Sequence, residues 1–303
     1  MFLKKIWYKI TDKKRYQELK FIENSKKAKI PLDINHEKQI NLIQHKIENQ
    51  DKLNFLHSGH AADIVNVLPV IKELSKNHEC NLFINLDKPI KFYFKHPAGS
   101  IYLNEKIYTK LTPLLENQKY INKVEKFIDQ EIDVNLDLFR DLPINLTFDN
   151  IRYASIVTGV QPDYNSPFLE VDDHSTLKNK VIIQRTFRYR NNFINYEFLN
   201  NYENLCFVGT KDEYEDLKSI VKNLEFYDCK DFLDMAKAVK SSKFVLANSS
   251  LTFPIAEGLN VPRLLEACPE FPAAQPHGKN SFTFYFQSHF EKFFDYLYKL
   301  NNN

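Results

Sequence analysis

Glycine is scarce: six in 303 residues leave little room for flexible linkers or a Gly-rich phosphate loop, so each one carries information. Cysteine is sparse too. Cys80, Cys206, Cys229 and Cys268 lie far apart with no Cys-x-x-Cys pair, which argues against a disulfide framework or a zinc ribbon and for reduced, buried thiols. No stretch reaches the ~20 apolar residues needed to span a bilayer. The N-terminus MFLKKIWYKI breaks its apolar run with lysines, so it lacks a signal-peptide core and a cytoplasmic protein is expected. Nor does one sign of charge dominate. Forty-one Lys+Arg against 39 Asp+Glu give +2, too balanced for a chain that wraps nucleic acid over much of its surface. With 43% hydrophobic and 26% charged residues the make-up is that of a globular protein, and its length suggests two domains.

Residues 1–50 stand apart as a basic helical extension. Through Ile30 they hold ten Lys/Arg against Asp12, Glu18 and Glu23, an excess of seven. Leu3, Ile6, Trp7 and Ile10 fall at helical spacing, which predicts an amphipathic basic helix. Packing of this stripe on the protein's own surface is the favoured expectation, because a charge run is usually a solvated face. The alternative is peripheral contact of residues 1–30 with an anionic inner membrane surface.

From Leu53 the pattern turns to strand, loop, helix, strand. Leu53–Leu56 is a short apolar run, His57–Ala62 a small polar loop, and Ile64, Val67, Leu68, Ile71 and Leu74 repeat at helical spacing before Cys80–Leu86 returns to extended character. Pro69 either kinks this helix or marks where its regular part begins. Residues 87–170 are less legible, with strand-like pieces at Val124–Ile128 and Val134–Leu138. In the second half, Val181–Gln184, Leu205–Val208, Leu224–Tyr227, Phe244–Ala247 and Arg263–Leu265 alternate with helical patterns at Tyr214–Val221, Phe232–Val239 and Phe253–Leu259. Such alternation predicts an α/β chain with mainly parallel sheets. A turn-rich stretch at 165–178 divides domain 51–170 from domain 171–285. The aromatic segment Phe282–Leu300 reads as a closing helix, with 286–303 set apart as its own segment.

Ligands of open α/β sheets bind beyond the carboxyl ends of strands, so residues directly after strands are the candidates. Gly59, His60 and Asp63 follow the first strand, where a carboxylate or histidine can act as general base; an Asp there can equally be a helix cap. His57-x-x-His60 has no third ligand at a recognised zinc spacing, so no metal is expected. Arg185, Thr186 and Arg188 follow the Val181 strand and suit a diphosphate, since guanidinium forks match phosphate oxygens. Phe187 and Tyr189 interleave with arginines there and could stack on nucleic-acid bases. Asn248, Ser249 and Ser250 follow the Phe244 strand and open a helix whose N-H groups and dipole favour an anion. Gly209 and Thr210 offer a close approach for a nucleotide base or ribose, and Glu257 could accept ribose hydroxyls.

Two stretches of this sequence resemble the family 9 glycosyltransferases, the ADP-heptose lipopolysaccharide heptosyltransferases and their relatives. Ala62-Asp63-Ile64-Val65-Asn66-Val67-Leu68-Pro69 is similar to the family's N-terminal Gly-Asp, apolar residues and Leu-Pro. Asn248-Ser249-Ser250-Leu251-Thr252-Phe253, followed by Gly258-Leu259-Asn260-Val261-Pro262, is similar to its Asp-Thr-Gly-Leu-Ser-His and Gly-Val-Pro. Ala62, Asn248, Ser250 and Phe253 depart from the family's Gly, Asp, Gly and His. The resemblance implies a GT-B architecture, two Rossmann-like domains facing across a cleft, with acceptor on the first and nucleotide sugar on the second. It further implies inverting, metal-independent transfer with Asp63 as base, donor phosphates at the Asn248 turn, and no cofactor apart from the nucleotide-diphosphate sugar as substrate. The partners expected are that donor and a saccharide acceptor in glycan or polysaccharide synthesis. Two other readings remain: a non-catalytic nucleotide- or glycan-binding scaffold, and a nucleic-acid-binding protein.

Overall fold

The computed structural model describes residues 2–28, 34–90, 98–142 and 148–300. The chain divides into a small unit, Met1–Asn41, and a large one, Leu42–Asn303. Helices α1 (Phe2–Thr11), α2 (Lys13–Ala28) and α3 (Ile34–Asn49) open the chain.

The first half of the large unit runs β1 (Lys52–His57), α4 (Ala61–Asn66), α5 (Leu68–Leu74), β2 (Glu79–Ile84), α6 (Glu105–Glu116), β3 (Lys123–Lys126), β4 (Val134–Asn135) and α7 (Tyr153–Thr158). Pro69 lies in the first turn of α5, where its missing N–H costs nothing. The helical pattern from Ile64 to Leu74 is therefore two helices parted at Val67, and Pro69 marks the beginning of the second, one of the two outcomes expected of it. The second half runs β5 (Val181–Gln184), β6 (Leu205–Val208), α8 (Lys211–Lys218), β7 (Glu225–Tyr227), α9 (Phe232–Lys240), β8 (Phe244–Ala247), α10 (Thr252–Leu259), β9 (Arg263–Glu266), β10 (Ser281–Phe284) and α11 (Gln287–Lys299). The aromatic run at 282 does not open the closing helix. Ser281-Phe282-Thr283-Phe284 alternates with period two and forms β10 beside β9, as such alternation favours.

Both sheets are parallel throughout, the arrangement expected of an α/β chain of GT-B type. The first has the order β3-β2-β1-β4 and the second β10-β9-β8-β5-β6-β7. Counted from its own first strand, the second is 3-2-1-4-5-6, the doubly wound dinucleotide-binding order. Strands buried on both faces read as unbroken apolar runs, and β5, β6 and β8 are buried at every position.

In each sheet the order reverses at one strand: β1 lies between β2 and β4, and β5 between β6 and β8. Crevices for ligands open at such reversals. Helix α4, at the first reversal, packs on α10, at the second.

Candidate active site

Asp63 sits in the first turn of α4. Its Oδ2 accepts the His60 backbone N–H at 3.1 Å and lies 3.5 Å from Arg140 Nη2. Both of these contacts fall on Oδ2. His60 Nδ1 lies 2.7 Å from the Tyr102 carbonyl oxygen, to which it donates. Burial lowers the His60 pKa, so the ring is neutral near pH 7. Gly59 is required by close approach: a Cβ there would stand 2.6 Å from Arg140 Nη2 and 2.7 Å from Asp63 Cβ.

Behind Asp63 lies a buried polar cluster. Asp137 accepts from the Ser58 N–H at 3.1 Å, the Ser58 hydroxyl, Lys88 Nζ at 3.1 Å and Arg140 Nη1. Burial opposes its charge, yet His57, Arg140, the Ser58 hydroxyl and Lys88 together hold its carboxyl well below the usual range. Arg140 therefore bridges the Asp137 carboxylate to Asp63, and its guanidinium also lies over the rings of Phe139 and Tyr102, 4.4 and 5.0 Å from their centroids. Such a fork, held on three sides, fixes the orientation of the carboxylate it reaches.

His57 is fully buried, with Nδ1 accepting the Gly59 N–H at 2.9 Å, and burial lowers its pKa to about 4. The unfolded chain takes up a proton near pH 6.5 that the folded chain refuses until about pH 4. Stability is thus whole above pH 6.5 and falls as the pH drops toward 4, by about 3 kcal/mol. His57→Asn, whose Oδ1 can accept the same N–H, is expected to flatten this slope in urea unfolding measured between those pH values. An unchanged slope assigns it to another group.

Opposite, the loops after β5 and β8 are tied together. Asn248 Oδ1 accepts the Thr186 N–H at 3.1 Å, and its Nδ2 donates to the carbonyls of Thr186 at 3.1 Å and Arg188 at 2.8 Å. This clamp holds the loop where Tyr189 adopts a left-handed φ of 56°, costly for a bulky residue. Gln184 Oε1 accepts the Thr252 N–H at 3.0 Å, and the Ser250 and Phe253 amides bond to Asn248 and Ser250 carbonyls. The Ser249 and Leu251 amides are the donors these bonds leave at the opening of α10, where the helix dipole is positive. Gly209 takes a φ of 144°, reserved for glycine, and lets the Glu213 carboxylate close over the Thr210 N–H at 3.4 Å.

A cavity of about 350 Å³ joins the two sides. His60, Asp63, Asn66, Asn104, Lys106 and Lys110 line it from the first half. Thr186, Arg188, Gly209, Thr210, Ser249 and Ser250 line it from the second, with Glu213, Met235, Phe253 and Phe271. Arg188 is close enough to Asp63 and Glu213 for both to act on it electrostatically, and burial draws its pKa down from the ordinary value.

Four candidates do not line the cavity. Gly59 lies beneath it, and Asn248 is wholly buried as the clamp. Arg185 is corrected from a diphosphate ligand to a structural group: its Nε and Nη2 donate to Glu266 at 2.8 and 2.9 Å, and its guanidinium lies 4.4 Å from the Tyr196 ring centroid. Glu257 is corrected likewise, since it is buried against Arg263 and the His277 N–H. Arg190 pairs with Asp216 at 2.8 Å and lies 4.7 Å from the Phe187 ring centroid, while Phe187 stays about half exposed and Tyr189 lines the cavity. Among the described residues no group of three His, Cys, Asp or Glu is placed to hold a metal ion. Sequence reasoning missed Arg140, Asp137, Glu213 and the lysines of α6.

At the level of sequence no family model and no curated protein matches the chain. Solved structures are similar in fold. A family 9 glycosyl transferase from Veillonella parvula superposes with a TM-score of 0.52 at 11% identity, over 82% of this chain and 92% of the other. ADP-heptose lps heptosyltransferase II of E. coli gives 0.50 at 10% identity, over 82% and 98%. The chain has the fold of the family 9 glycosyltransferases. The iron-containing dodecameric glycosyltransferase TibC from enterotoxigenic E. coli gives 0.50 at 12% identity, with 77% of this chain matched to 62% of that one. In this family 9 fold the cavity lies at the strand-order reversals of both sheets. No helix among the described residues is long and apolar enough to cross a membrane.

Proposed function

We propose that the protein is an inverting glycosyltransferase that moves a sugar from a nucleoside diphosphate to a hydroxyl of a saccharide acceptor. The observation that carries this reading is that Asp63 and the anion-receiving end of α10 line one cavity. Asp63 Oδ1 takes the proton of the attacking hydroxyl while Arg140 holds the carboxylate in place. The diphosphate rests against the Ser249 and Leu251 amides, the Ser249 hydroxyl and Arg188. Arg188 and the helix end take up the charge that develops on the departing nucleotide, so the transfer needs no metal and no further cofactor. Glu213 is placed to accept ribose hydroxyls, and Met235, Phe232 and Cys229, which also line the cavity, offer an apolar slot for the base. Phe253 and Phe271 make one wall apolar, so the sugar is not assigned as heptose.

The test is a melting-temperature panel with ADP, UDP, GDP and CDP, followed by donor turnover with sugars on whichever nucleotide binds. A ligand at a hundred times its Kd stabilises the native state by about 2.7 kcal/mol, and one nucleotide of the four is expected to do so. A panel with no shift overturns the reading. Binding without consumption of any donor, with an acceptor-glycan library present, favours the non-catalytic scaffold.

A further inference from the structure

The helical hairpin at the N-terminus presents apolar side chains to solvent. Asp12 ends α1 and caps α2, with its Oδ1 accepting the Arg15 N–H at 3.0 Å, and Lys5 pairs with Glu23 across the two helices. Ile6 and Trp7 adjoin Lys5, and Phe21 and Ile22 adjoin Glu23, so the ion pair draws these apolar groups to the same end of the hairpin. Trp7 is 59% exposed, Ile10 81% and Phe21 73%. Within the small unit neither helix of the hairpin covers these side chains. Large apolar side chains left uncovered on neighbouring helices mark an interaction surface.

Its surroundings identify the partner. Residues 2–28 carry nine Lys/Arg against Asp12, Glu18 and Glu23, whereas the whole chain is only +2. The positive charge is thus concentrated here and the rest of the chain is net negative. A nucleic acid satisfies the lysines but offers no apolar layer to Ile10 and Phe21. A neutral protein surface does the reverse. An anionic lipid interface supplies both, phosphate headgroups for the lysines and an acyl boundary for the rings. We infer that the hairpin α1–α2 docks on an anionic membrane surface, with Trp7, Ile10 and Phe21 inserted and the lysines on headgroups.

Trp7 is the chain's only tryptophan, so emission excited at the red edge of the indole band, where tyrosine does not absorb, reports this site alone. With vesicles of roughly 30 mol% phosphatidylglycerol in phosphatidylcholine at low salt, the full chain is expected to co-sediment and its emission to shift to the blue. Neither effect is expected with phosphatidylcholine alone. Ile10→Glu with Phe21→Glu, which keeps Trp7 as reporter, is expected to weaken binding at least ~10-fold while leaving the nucleotide-induced melting shift unchanged. Equal binding to neutral vesicles, co-sedimentation without a blue shift, or a dimer that the double variant dissociates overturns the inference. The outcome is independent of whether the cavity binds a nucleotide.

Discussion

Asp63→Asn is expected to lower sugar transfer by about 10²- to 10⁴-fold, the usual worth of a positioned general base, with nucleotide binding unchanged. The amide keeps the side chain's size and can still accept from His60 N–H, so α4 retains its start. What it loses is the capacity to receive a proton at Oδ1. The measurement is single-turnover transfer with the variant and the wild-type protein, each at saturating donor, beside the melting shift produced by the same nucleotide. An unchanged rate removes Asp63 as the base; a lost melting shift moves it to donor binding. Arg140→Gln is the companion variant, which leaves Asp63 in place without its fork. A positioning role predicts a lower transfer rate with the Asp63-dependent limb of the pH profile displaced, an effect that mere loosening of the fold does not produce.

Glu266→Ala is expected to cost about 3–5 kcal/mol of stability, because it strands a buried cation. Glu266 is wholly buried and accepts four bonds: two from Arg185, one from the Asn191 N–H at 2.7 Å and one from the Tyr196 hydroxyl at 2.6 Å. Removing it leaves Arg185 with no counter-charge in the interior of the second sheet. Denaturant unfolding of the variant reads the cost directly. The nucleotide affinity of the fraction still folded should be unchanged, since neither residue lines the cavity. If instead affinity falls while stability holds, Arg185 belongs to the donor site after all.

Much of the fold was legible because parallel interior strands are continuous apolar runs. Val181–Gln184, Leu205–Val208 and Phe244–Ala247 appear in the structure with the bounds their composition predicts. The loops after them were legible for the same reason, since ligand-binding positions follow strand ends. Partners distant in sequence were not. Arg185 looked like a phosphate ligand because nothing near it in the chain reveals Glu266, 81 residues away, and Glu257 looked open because its charge is met by Arg263 inside the sheet. Arg140 and Asp137 were hidden by a two-residue β4; reading the strand as ending at Asn135 would have marked Asp137 as a strand-end carboxylate. Helix α6 went unseen because Pro113 interrupts its pattern, and with it went Lys106 and Lys110.

The absence of any antiparallel pairing within the two sheets also orders events during synthesis. No strand can pair with a neighbour until an intervening crossover has been made, and β5 meets β8 only after some 60 further residues have emerged. The Asn248 clamp and the opening of α10 depend on that meeting. The nascent chain therefore holds every strand of its first sheet, with Asp63 at the start of α4, well before the loops after β5 and β8 can be tied together, and an early-terminated product carries one wall of the cavity without the other.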